Sequence, residues 1–114
     1  MSQKNKLLEA PPFAVADALK HFGNNLRTAR LRRNLTIQQV AKKAGTGSRV
    51  ISDAEKGKFT TGIGNYVALL WVYDLLEPFN EVADPVKDEI GQHLALVRDR
   101  ERARHRDEGL DNDF

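Results

Sequence analysis

The sequence predicts an all-α protein, a small bundle of about five to six helices. Apolar residues recur at steps of three and four along most of the chain, which places them on one face of a helix. No run of β-branched residues alternates with polar ones as a half-buried strand requires. A chain of 114 residues, 40% of them hydrophobic, can bury one modest core.

The first long helix follows a polar leader, residues 1–12, which ends in two prolines and which we expect to be flexible. Helical spacing predicts this helix over residues 14–33. Its apolar stripe consists of Val15, Leu19, Phe22, Leu26 and Ala29. The stretch Gly23-Asn24-Asn25 has poor helix propensity, so the pattern allows a kink there.

Residues 36–58 contain two short helices hinged at a glycine. Thr36 and Gln39 form a capping-box pattern, in which the hydroxyl and the amide satisfy backbone N–H groups at the helix start. Gly45 stands where a left-handed residue ends a helix. The next helix is predicted over residues 47–56. The inward faces of the pair consist of Ile37, Val40, Ala41, Ala44, Val50, Ile51 and Ala54.

A fourth helix is predicted over residues 63–73. Its sequence is apolar almost all round, so we expect burial on more than one side. Packing in the core and contact with a second copy both account for this pattern, and the sequence leaves both open. In the second case Trp71 and Tyr73 are the candidate anchors.

Two more helices are predicted near the C-terminus. Pro78 stands in the first turn of a short fifth helix, and a sixth follows Asp84-Pro85. The apolar stripe of the sixth consists of Val86, Ile90, Leu94 and Val97. We therefore expect a domain over residues 13–84, a C-terminal helix for dimer or partner contact over 85–104, and a disordered, highly charged tail over 105–114.

Charge is distributed unevenly, although the net charge is only +2. Residues 1–60 carry 12 Lys and Arg against 4 Asp and Glu, whereas residues 61–114 carry 6 against 12. The basic half indicates a polyanionic partner; a solvated charged surface is the plainer alternative. The lack of cysteine excludes disulfides and agrees with a reducing cytoplasm. We expect neither a secretory signal nor a membrane span.

The titratable residues show no arrangement typical of an enzyme. His21, His93 and His105 are scattered and lack partners at metal-ligand spacing, so no metal site is predicted. Glu77 and Glu81 fit a solvated helix face better than an acid–base pair. We therefore predict no enzymatic activity, no catalytic residue and no cofactor.

The hinged pair of helices leaves the outer face of the second one free. A helix presented in this way fits the major groove of B-form DNA. The stretch NLRTARLRRNLTIQQVAKKAGTGSRVISDAEKGK resembles the Cro/repressor type of helix-turn-helix domain, the xenobiotic response element family. The resemblance extends over residues 26–82 and implies a lambda-repressor-like fold and sequence-specific binding of double-stranded DNA.

The resemblance also implies roles for single residues. The base-reading positions are Ser48, Arg49, Ser52 and Asp53. The residues that correspond to phosphate contacts are Thr36, Lys56 and Lys58. Arg30 in the first helix corresponds to the partner of Glu55, a buried structural ion pair rather than a DNA contact.

The sequence departs from the family in two places. Ile37 stands where a polar residue often contacts the DNA backbone, and Gly47 leaves the tip of the second hinged helix without a side chain. Asp53 is open to two interpretations, since it can repel phosphate or accept a hydrogen bond from cytosine N4. The operator sequence is therefore not predicted.

The stretch from residue 48 to residue 85 is similar to the HipB-type antitoxins, and its part from residue 64 onward resembles their C-terminal pattern. The matching residues are Gly64, Tyr66, Leu69, Leu70, Leu75, Leu76, Phe79, Val82, Ala83, Asp84 and Pro85. This resemblance implies a bacterial, cytoplasmic and nucleoid-associated homodimer that represses its own operon at a palindromic operator and binds a HipA-type kinase toxin or its companion subunit. The alternative is a small helical adaptor without specific DNA recognition. The candidate dimer or partner contacts are Trp71, Tyr73 and Leu94.

Overall fold

The computed structural model describes the backbone of residues 5–111 and the side chains of residues 5–109. Every regular element in that range is helical, which confirms the predicted all-α class. The elements in chain order are α1 Lys6–Glu9, α2 Phe13–Arg32, α3 Ile37–Ala44, α4 Ser48–Glu55, α5 Ile63–Val72, a 3-10 helix Glu77–Glu81 and α6 Glu89–Asp111. None of these helices has the length and apolarity needed to cross a membrane. The chain divides into two compact units, Met1–Phe79 and Asn80–Phe114.

The core of the first unit forms where α2, α3, α4 and α5 meet, since each contributes one apolar face. α4 packs against all three of the others, which fixes the orientation of a helix too short to be stable alone. The phenyl ring of Phe22 stacks on Tyr66 with ring centroids 5.3 Å apart. The buried residues of this core are Leu26, Ala29, Val40, Ala41, Ile51, Ala54, Tyr66, Leu69 and Tyr73.

α2 is continuous through the predicted weak point at Gly23. A Cβ atom at Gly23 would lie 2.6 Å from the carbonyl oxygen of Ala54 and 2.7 Å from that of Glu55. The glycine therefore allows α2 to approach the end of α4 closely. The apolar stripe of α2 is buried at Leu26 and becomes exposed towards the N-terminus, where Val15 is 42% exposed.

The predicted fifth helix is a short 3-10 helix with Pro78 at its second position. α6 begins at Glu89, so Val86 precedes it. The structure also differs from the predicted disordered tail over 105–114, because α6 continues to Asp111. Arginine, glutamate and alanine are strong helix formers, so the backbone stays helical after the apolar stripe ends.

The structure describes part of the predicted leader and part of the predicted tail. Lys6–Glu9, inside the predicted leader, form one helical turn that begins at Asn5, whose side chain accepts from the backbone amide of Leu7 at 3.0 Å. Residues 1–4 of the predicted leader and 112–114 of the predicted tail lie outside the described residues.

Candidate nucleic-acid interface

The start of α3 carries the predicted capping box. Thr36 Oγ1 accepts from the Gln39 amide at 3.1 Å, and Gln39 Oε1 accepts from the Thr36 amide at 2.8 Å. First-turn amides of a helix have no acceptor within the helix, and the capping box takes up those of Thr36 and Gln39. The amides of Ile37 and Gln38 between them point out of the helix end, where an anion such as phosphate can accept from them.

The turn between α3 and α4 is held by the backbone. Gly45 adopts a φ of 74°, the left-handed conformation predicted for it, and the Thr46 amide donates to the Ala41 carbonyl at 3.0 Å. Behind the turn, Val40 of α3 and Ile51 of α4 are fully buried in the shared core. These contacts leave the opposite side of α4 facing outward.

An open depression lies between the start of α3 and the outward side of α4. It is lined by Arg30, Leu35, Thr36, Ile37, Gln38, Ser48, Arg49, Ser52, Asp53, Lys56 and Lys58. The structure thus brings together every residue predicted from the resemblance to contact bases or phosphates. Gln38 also lines the depression and was not singled out from the sequence. Its place in the first turn of α3, two residues after the capping threonine, is the signal that points to it.

Arg30 lies at the inner edge of the depression but is turned into the protein. Its Nε donates to Glu55 Oε2 at 2.9 Å and its Nη2 to Glu55 Oε1 at 3.0 Å, and its Nη1 donates to the Leu35 carbonyl at 3.0 Å. The hydrogen bond to Glu55 raises the pKa of Arg30 above its already high value. A guanidinium with three of its donors used internally is suited to tie α2 to the end of α4.

Tyr73 lies in the core beside this ion pair. Tyr73 is only 1% exposed. Its buried ring cannot contact a second chain, in contrast to the prediction that Tyr73 is a dimer or partner contact. Arg33 covers the ring, with its guanidinium carbon 5.6 Å from the ring centroid, and donates to the Tyr73 carbonyl at 2.8 Å. Among the described residues the Tyr73 hydroxyl has no hydrogen-bond partner.

Tyr73 is expected to make the folded protein sensitive to alkaline pH. Burial, with a smaller contribution from Glu55, raises the pKa of Tyr73 to about 12. The folded state therefore keeps this proton to a higher pH than the unfolded chain, in which tyrosine titrates near pH 10. The free energy of unfolding should fall as the pH rises from about 10 to about 12.

Thermal melts of Tyr73→Phe and wild type across that pH range test this. The variant should be nearly as stable as wild type at neutral pH, because the hydroxyl it removes makes no hydrogen bond with the described residues. It should lose less stability than wild type above pH 10. The remaining loss belongs in part to Tyr66, whose pKa burial also raises. An equal loss in both proteins would contradict the assignment.

Lys58, in the loop after α4, is held at three points. Its Nζ lies 3.1 Å from Asp53 Oδ1, its backbone amide donates to the Asp53 carbonyl at 3.1 Å, and its carbonyl accepts from the Tyr66 hydroxyl at 3.0 Å. Gly57 permits the turn with a φ of 69°. The resemblance gives Asp53 and Lys58 separate roles, and the structure pairs them.

Two of the residues predicted to contact a dimer partner lie on the surface. In the first unit Trp71 is 63% exposed, and in the second unit Leu94 is 62% exposed. Ile90, on the same stripe of α6 as Leu94, is 76% exposed.

Within the described residues no group of three or more His, Asp or Glu is placed to hold a metal ion.

A family model described as helix-turn-helix matches residues 26–74, which is less than half of the chain. The match includes α3, α4, α5 and the part of α2 that carries Arg30, and with them the whole depression. The chain thus contains a helix-turn-helix domain, a kind of domain typical of DNA-binding transcription regulators. No curated protein and no solved structure matches the chain.

Proposed function

We propose that this protein is a sequence-specific transcription repressor that docks α4 in the major groove of double-stranded DNA. The observation that carries the proposal is the depression in which the outward face of α4 and the open amides at the start of α3 lie side by side. In this arrangement the residues proposed to contact bases and those proposed to contact phosphates face the same duplex. Phosphate contacts set the register and the base contacts supply specificity.

In this arrangement the two sides of the depression have different tasks. Arg49 is exposed near the start of α4, where it can donate two hydrogen bonds to guanine O6 and N7. Ser48 and Ser52 lie on the same face and can contact either base-edge donors or acceptors. The N-terminus of α3 and Lys56 bind the phosphates on either side.

Gel shift as a function of salt separates this function from that of a protein-binding adaptor. A protein that neutralises several phosphates should lose affinity steeply between about 50 and about 200 mM salt. A duplex selected from a random pool should also be bound more tightly than an unselected one. An adaptor should shift neither duplex specifically, and that result would remove the DNA-binding proposal.

Arg49→Ala is expected to weaken binding to the selected duplex by about 1–3 kcal/mol and to relax the preference at one base pair. The reason is the loss of the bidentate contact with guanine. Anisotropy titrations of the selected duplex and its single-base variants measure both effects. Lys56→Ala is the comparison, since loss of a phosphate contact should weaken all duplexes about equally. Wild-type affinity in Arg49→Ala would take the arginine out of the base-reading set.

We propose a homodimer that places two copies of α4 about one duplex turn apart, roughly 34 Å, on a palindromic operator. The exposed apolar side chains of Trp71 and Leu94 support a protein contact on the first and second units. Sedimentation at micromolar concentration tests the proposal, and a purely monomeric protein would contradict it.

The assignment as a HipB-like antitoxin, located at the bacterial nucleoid, rests on the pattern of residues 64–85. Part of that pattern has a structural explanation, because Tyr66 and Leu69 are buried in the core. The surface residues of the same segment are those free to bind a kinase toxin or its companion subunit. A kinase-like reading frame beside this one would support the assignment, and co-purification of its product tests it.

A further inference from the structure

We propose that Asp53 is a selectivity residue, which neutralises Lys58 and so holds back DNA binding until a duplex offers the carboxylate a base amine. The inference rests on the DNA-binding function proposed above and deepens it. Its basis is the ion pair in which Lys58 Nζ lies 3.1 Å from Asp53 Oδ1, on the face of α4 that lines the depression. The family resemblance, by contrast, gives the two residues separate roles, base reading for Asp53 and phosphate contact for Lys58.

Backbone hydrogen bonds in the loop hold Lys58 beside Asp53. The Lys58 backbone is fixed by its amide, which donates to the Asp53 carbonyl at 3.1 Å, and by its carbonyl, which accepts from Tyr66 at 3.0 Å. Tyr66 is itself 2% exposed. The Cα atom of Lys58 is therefore held in place, and its side chain starts beside Asp53.

The pair is also weak enough to be exchanged. The side chains of Lys58 and Asp53 are 45% and 22% exposed, and ion pairs that accessible contribute little to stability. A phosphate oxygen can therefore compete with the carboxylate for Lys58. If it does, Asp53 is left as a negative charge close to the duplex.

The consequences of that exchange depend on the DNA sequence. Where no donor faces Asp53, the ion pair stays closed and Lys58 makes no phosphate contact, because opening the pair would leave the carboxylate unpaired near the phosphates. Where a base amine faces it, such as cytosine N4 in the major groove, the carboxylate accepts a hydrogen bond and Lys58 is released to a phosphate. Asp53 therefore lowers the affinity for arbitrary duplexes more than the affinity for a matching one.

The test uses the full chain and a duplex of random sequence, so no operator need be known. Asp53→Asn should bind this duplex roughly three- to tenfold more tightly at low salt, and the slope of log affinity against log salt should steepen by about 0.9, because one more cation reaches a phosphate. Asp17→Asn, which makes the same change of net charge on α2, is the matched control and should change neither quantity appreciably.

A double-mutant cycle isolates the pair. Lys58→Gln should change random-duplex affinity little in the wild-type background, where the charge is already neutralised, and should abolish the gain in the Asp53→Asn background. Equal effects of Lys58→Gln in both backgrounds, or an Asp53→Asn affinity within twofold of wild type, would overturn the inference. Those outcomes leave DNA binding intact, whereas a wild-type protein that binds no duplex at any salt would overturn the DNA-binding proposal and this inference together.

Discussion

Replacing Arg30 with alanine is expected to lower the free energy of unfolding by about 3–5 kcal/mol, because the Glu55 carboxylate would stay buried without its partner. Arg30 is 9% exposed and the Glu55 side chain 7%. The variant also loses the hydrogen bond to the Leu35 carbonyl, at the entry to α3. A small domain has only about 5–15 kcal/mol of stability in total, so much of the fold would be lost. Denaturant unfolding followed by circular dichroism measures the effect.

Two further variants separate this role from others. Arg32→Ala removes an exposed arginine from the same turn of α2 and should stay within about 0.5 kcal/mol of wild type. The double change Arg30→Met with Glu55→Leu should recover most of the stability, because an apolar pair of similar volume replaces the charges without leaving one unpaired. Full stability of Arg30→Ala together with weaker DNA binding would instead make Arg30 a phosphate contact.

The features predicted correctly from the sequence are those determined by neighbouring residues. The capping box at Thr36 and Gln39 is a hydrogen-bond pattern between residues three apart, and the left-handed Gly45 follows from the end of a periodic run. The bounds of α4 follow from the same local signals. The Arg30–Glu55 contact is not local, and it came from the family resemblance rather than from any spacing.

The features missed from the sequence depend on contacts between residues distant along the chain, or on a balance between weak contributions to the free energy. Two of these features depend on how α5 packs, which a local sequence pattern does not show. They are the burial of Tyr73 and the hydrogen bond from Tyr66 to the Lys58 carbonyl. The length of α6 was underestimated because the lack of an apolar stripe was weighed above intrinsic helix propensity. The depression likewise exists only when α3 and α4 have packed.

Gly23 is the clearest example, and it leads to a prediction whose sign is opposite to that of helix propensity. Judged locally, alanine in place of a mid-helix glycine should stabilise α2 by roughly 1 kcal/mol. A Cβ there would also meet backbone at three points, at 2.6 Å from Ala54, 2.7 Å from Glu55 and 2.8 Å from the Gly57 amide. Backbone cannot rotate aside as a side chain can. We therefore expect Gly23→Ala to destabilise the protein by about 3 kcal/mol.

Gly64→Ala provides the matched control, because Gly64 also lies in a helix, α5, but a Cβ atom there would have no atom of the described residues within 4 Å. That variant should be neutral or more stable by up to about 1 kcal/mol. Any folded Gly23→Ala protein should also bind DNA more weakly, since relief of the overlap requires α4 to move away from α2 and would displace Arg49 from its proposed position in the major groove. A Gly23→Ala protein as stable as wild type would show that α2 and α4 do not approach as closely as the structure places them.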